Sequence, residues 1–134
     1  MTDDELIGAL EDFSLPPAAF THRAHVQAGF IYLQRHGYAG ALGVMAAAVR
    51  RFAAHHDKLG LYHETVTVAF LTLIHERMAA DLIERGCDAR DLVWDDFAPR
   101  HPDLFTADLL SRYYSRDTLR SDLARRCFVL PKAS

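Results

Sequence analysis

The chain has 134 residues, half of them apolar and a quarter charged, with a formal net charge of -3. That balance suits a single domain (1–134) large enough to bury a core, and it lacks the basic stripe of a nucleic-acid binder. No apolar run approaches the roughly 20 residues that span a bilayer, and the acidic start MTDDELIGAL is unlike a basic signal leader. A cytoplasmic protein is expected, with neither nucleic acid nor membrane as partner.

Thr2-Asp3-Asp4-Glu5 has capping-box spacing and predicts a short helix to about Phe13, broken at Pro16-Pro17. Thr21 is an acceptable N-cap for a second helix ending at Gly37, with Val26, Phe30 and Leu33 on one stripe. A third helix is expected over about 40–56, where Leu42, Met45, Val49 and Phe52 share a face. DKLG reads as a turn. A fourth helix, about 62–85, is apolar nearly all round between Val66 and Ile74, which marks it as the most buried one. Gly86 suits its end.

Farther on, DARDLVWDDF predicts a short helix, PRHPD a turn, and DLFTADLLSRYYS and RDTLRSDLARRCF two more short helices. No stretch alternates as a strand would. The fold class is therefore all-α, an up-down-up helical bundle core with short capping helices at both termini. Cys87 and Cys127 read as free thiols, with no spacing for a zinc ribbon or a CxxC redox motif.

Eight histidines are many for this length. In an up-down-up bundle, the start of the second helix, the end of the third and the start of the fourth lie together. That gathers His22, His25, His55, His56 and His63 at one end. His22 and His25 border the apolar stripe of their helix, and His63 aligns with Val66, Thr67, Phe70 and Ile74. Gly29, one turn above His25, leaves room for a close approach.

Neutral imidazole is the commonest metal ligand, and three protein ligands with one open position mark a catalytic centre. On that reading His22, His25 and His63 hold a divalent ion, zinc before iron or copper. Glu64 assists proton transfer, and Tyr62 and Thr67 hydrogen-bond a water or substrate. The duller reading satisfies each histidine with a backbone carbonyl, makes Glu64 a helix-dipole partner and bonds the threonines back to carbonyls. His55 and His56 are expected to cap a helix C-terminus.

FTHRAHVQAGFIYL, GLYHETVTVAFLTLIHERM and YYSRDTLRSDLARRCFV together resemble a family of small bacterial helical proteins with THxAH, YHETxT and YYS…ARxxFV motifs. The likeness falls on Thr21, His22, His25, Tyr62, His63, Glu64, Thr65 and Thr67, and on Tyr113, Tyr114, Ser115, Ser121, Arg125 and Phe128. It implies a location for a site and no chemistry. The architecture is also similar in spirit to DinB-type bundles, which seat a metal on three histidines, although their late HxxxH pair is missing here.

The leading expectation is a small metal-dependent hydrolase or lyase acting on a small polar metabolite. The alternative is a metal-free small-molecule-binding or structural helical module. A homodimer stays open, because a buried bundle face and a dimer interface look alike in one sequence.

Overall fold

The computed structural model describes residues 1–106 and 108–132. Within them the chain is helical and turn, with no strand. Six α-helices form: α1 (Asp3–Glu11), α2 (His22–His55), α3 (Glu64–Arg85), α4 (Trp94–Arg100), α5 (Arg116–Arg120) and α6 (Asp122–Arg126), with 3-10 turns between them. No helix among the described residues is long and apolar enough to cross a membrane.

Local chemistry accounts for the boundaries. Thr2 and Glu5 complete the capping box of α1, and Thr21 accepts from the Ala24 N–H at the start of α2. Gly86 closes α3 in the left-handed region at φ 66°, a conformation that residues bearing a Cβ rarely adopt. Gly37, at φ 71° and ψ 176°, breaks α2 into helical segments 22–36 and 38–55. The expected second and third helices are thus two halves of one broken element.

Arg50 meets Glu64 while Tyr38 meets Thr72 and His75. Residue numbers rise along one helix as they fall along the other, so segment 38–55 runs antiparallel to α3. The most buried helix is not α3, as the sequence suggested, but segment 22–36. There Val26, Ala28, Gly29, Phe30, Ile31, Tyr32 and Leu33 are all buried. Phe30 packs against Trp94 and Phe97 of α4, and the Tyr32 hydroxyl donates to Glu11 of α1. The reason is position: segment 22–36 is covered by α1, α3 and α4, whereas the far end of α3 exposes Ile83 at 84%.

The C-terminal third is fastened to α3 by polar ties. Arg77 grips Asp103 with two bonds of 2.7 and 2.6 Å, and that guanidinium holds the Asp103 carboxyl at about 2. Buried Asp81 accepts from Arg100 at 3.0 Å and His101 at 2.9 Å. The PRHPD turn expectation gives way at its first two residues, since Pro99 and Arg100 complete α4. Pro99 sits in the last turns of a short helix that Phe97 and Ala98 bury. Ala107, within the predicted DLFTADLLSRYYS helix, lies outside the described residues; Leu109–Arg112 within it form a 3-10 turn.

Candidate functional site

Thr21 starts α2 so that its first turn presents His22 and His25 toward α3. Each imidazole is anchored by one backbone carbonyl. His22 Nε2 lies 2.9 Å from the Leu104 carbonyl, and His25 Nδ1 lies 2.9 Å from that of Thr21. A carbonyl only accepts, so both ring nitrogens carry the hydrogen. In the neutral ring this leaves His22 Nδ1 and His25 Nε2 as bare lone pairs. Burial pushes the His25 pKa down from 6.5, outweighing the Thr21 carbonyl that raises it. His25 is therefore neutral at pH 7, with Nε2 an acceptor.

Both rings line a cavity of about 270 Å³ together with Val26, Met45, Val66, Thr67, Phe70, Leu71 and Ile74. The walls are mostly aliphatic and aromatic, and the polar groups are few, His22 and His25 from α2 and Thr67 from α3. Phe20 stacks on His25 with ring centres 3.6 Å apart, and Phe70 meets His22 edge-on at 4.7 Å, so packing as well as hydrogen bonding orients both rings. Gly29 packs directly against three of the lining residues, Ile74, Leu71 and Met45. A Cβ there would meet Ile74 Cδ1 at 3.0 Å and Leu71 Cδ1 at 3.2 Å. Absence of a side chain lets α3 come close at that level.

His63 stands elsewhere in the design. It is the N-cap of α3 rather than a first-turn residue, its Nδ1 accepting from the Val66 N–H at 3.2 Å. Its Nε2 donates to the Leu119 carbonyl at 2.6 Å. Both nitrogens are consumed, and only the neutral tautomer protonated at Nε2 satisfies both bonds. A ligating imidazole needs one lone pair for the ion, and His63 has none to offer. Among the described residues no group of three His, Cys, Asp or Glu side chains could hold a metal. The expected His22, His25 and His63 centre for zinc, iron or copper does not fit this arrangement.

The expected catalytic trio is divided. Thr67 lines the cavity, its hydroxyl donating to the His63 carbonyl at 2.9 Å and lying beside the Tyr62 hydroxyl. Glu64 instead takes the Tyr62 hydroxyl at 2.6 Å and Arg50 at 3.1 Å. Arg50 also lies over the Tyr62 ring, 5.0 Å from its centre. Burial, and then the Glu64 bond, push Tyr62 up to about 12, so near neutral pH it neither gives nor takes a proton readily. Neither Tyr62 nor Glu64 is among the residues lining the His22 and His25 cavity.

The remaining motif residues form a clasp. Thr65, fully buried, donates to the Cys127 carbonyl at 2.9 Å and accepts from the Val129 N–H at 3.1 Å. Tyr114 donates to the Val129 carbonyl at 2.8 Å. Ser115 and Ser121 cap α5 and α6, and Arg125 donates to the Gly60 carbonyl at 2.7 Å. Residues as far as 65 positions apart are thus tied by one shared structural task, holding the C-terminal segment against α3.

His56 is the C-cap of α2 through its backbone N–H, which donates to the Phe52 and Ala54 carbonyls, while the rings of His55 and His56 pack on aromatic neighbours. His55 stacks on Phe13 at 4.4 Å and His56 meets Phe52 edge-on at 4.6 Å. Cys87 and Cys127 are free thiols. Comparisons with family models, with curated proteins and with solved structures gave no match. The site's own chemistry therefore carries the functional reading.

Proposed function

We propose that this protein is a metal-free small-molecule-binding helical module whose ligand enters the His22 and His25 cavity. The observation that carries the reading is a largely apolar pocket holding two imidazoles, each anchored on one nitrogen with the other left bare. Ligand pockets combine apolar walls with a few placed polar groups in this way. About 150 Å³ of dry cavity accommodates benzene, so about 270 Å³ admits a somewhat larger guest. Such a guest has an apolar body and an O–H or N–H that donates to His25 Nε2 or His22 Nδ1. The expected hydrolase or lyase chemistry loses its ion-holding set, and its carboxylate is already bound by Tyr62 and Arg50.

Methyl-resolved NMR with benzyl alcohol and toluene as probes tests this. Benzyl alcohol is expected to shift the Met45, Val66, Leu71 and Ile74 methyl signals and to bind several-fold more tightly than toluene. His25→Phe, which keeps a ring against Phe20 and deletes the acceptor, is expected to erase that preference. Absence of methyl shifts at millimolar probe would overturn the proposal.

A further inference from the structure

Tyr62 and Glu64 do not line the His22 and His25 cavity, yet they organise a second opening. This groove, of about 550 Å³, is lined by Arg50, Leu59, Gly60, Tyr62, Arg125 and Arg126. Two of its three guanidinium groups are held in place from the side. Arg50, half exposed, lies over the Tyr62 ring at 5.0 Å and donates through one nitrogen to Glu64 at 3.1 Å. Arg125 donates through one nitrogen to the Gly60 carbonyl at 2.7 Å. Gly60 and Tyr62 share a tight turn, closed by the Tyr62 N–H on the Leu59 carbonyl at 3.0 Å. The two cations therefore flank one stretch of backbone, and most of each five-donor fork is unspent. The third, Arg126, makes no ion pair among the described residues. A neutral carbonyl gives Arg125 no counter-charge. Among the described residues Glu64 is thus the one carboxylate paired with any of the three, a local positive excess in a chain of net charge -3.

We propose that this groove binds a phosphate monoester. Like charges gathered together repel, and a dianion seated among them offsets that cost. The planar forks of Arg50 and Arg125 match phosphate oxygens in pairs, and Arg126 adds its charge from α6. The carbon part of the ester lies on Leu59 and the Tyr62 ring, the apolar surface of the groove. A phosphate ester is close to dianionic above neutral pH, its second pKa being about 6. A sulfate ester of the same shape carries a single charge and matches the positive excess less well. The groove shares no lining residue with the His22 and His25 cavity, so it stands whether or not that cavity takes a guest.

Titration of the full chain with phenyl phosphate and with phenyl sulfate at about pH 7.5, followed by NMR, tests the assignment. Phenyl phosphate is expected to shift the Leu59, Gly60 and Leu61 amides and the Nε–H signals of Arg50 and Arg125. It is expected to bind about fivefold more tightly than phenyl sulfate. Arg126→Gln, at a side chain with no ion pair to lose, and Arg125→Gln are each expected to weaken phenyl phosphate about threefold, with circular dichroism unchanged. Arg116→Gln, at an exposed arginine outside the groove, is expected to leave binding as it was. Once phenyl phosphate binds, co-sedimentation with phosphatidic acid vesicles assigns the phosphate to a lipid headgroup, and its absence to a soluble ester. Equal affinity for the two esters, an equal loss in Arg116→Gln, shifts confined to the Val66, Leu71 and Ile74 methyls, or no shift at millimolar phenyl phosphate would each overturn the proposal.

Discussion

At the scale of single residues, hydrogen-bond direction decides what each imidazole can do. His25 is held neutral by burial, its pKa below the ordinary 6.5. As pH falls through about 6.5 the unfolded chain takes up a proton there and the folded chain does not, so stability falls with pH across that window and the loss levels off below the folded pKa. Urea denaturation at stepped pH values, compared with His25→Phe, is expected to show this slope in the parent and a shallower one in the variant. Binding to the bare Nε2 is lost at the lower, folded pKa. His63 makes the opposite case, since both of its nitrogens are engaged. His63→Ala removes an N-cap and a tie to α5 and is expected to cost about 2 kcal/mol, read by chemical denaturation. Elemental analysis of untagged protein is expected to find no stoichiometric metal in the parent, and a full equivalent lost in His63→Ala would restore the metal centre.

Among the helices, the break in α2 and the clasp on α3 set the geometry of the site. Gly37 occupies φ 71° and ψ 176°, a region essentially reserved for glycine. Gly37→Ala is expected to lower stability by about 1–3 kcal/mol and to loosen segment 38–55 against α3, visible as lost exchange protection at Tyr38 and Thr72. Thr65 holds two backbone groups of the C-terminal segment at once. Thr65→Val keeps the volume and strands the Cys127 carbonyl and the Val129 N–H, at about 1–3 kcal/mol. Hydrogen exchange is expected to rise in residues 127–131 first, because the other ties of that segment, from Tyr114, depend on the same strand of backbone. The cap residues Thr2 and Thr21 and the terminating Gly86 were legible in sequence, since each acts within four residues of itself. The clasp was not, because its partners are separated by 62 and 64 positions and backbone acceptors carry no residue signature.

For the molecule as a whole, the cavity is space that neighbouring side chains can enter. The Ile74 and Leu71 methyls nearest Gly29 both line it, so a Cβ at that position can push them inward instead of displacing backbone. Gly29→Ala is therefore expected to raise stability by about 0.5–1 kcal/mol through helix preference and to weaken benzyl alcohol binding as the cavity shrinks, read by thermal unfolding and by the same methyl spectra. Sequence alone determined the all-helical class and its breaks, because helical periodicity and capping are short-range; it set His63 inward with His22, His25 and Thr67, and of these four His63 alone does not line the cavity. Tertiary structure alone decided which nitrogens remain free. The carbonyls that occupy His22 and His63 lie 82 and 56 residues away, and every residue type offers the same carbonyl. A histidine's identity is written in the chain; whether its lone pair is already spoken for depends on which backbone oxygen the fold brings beside it.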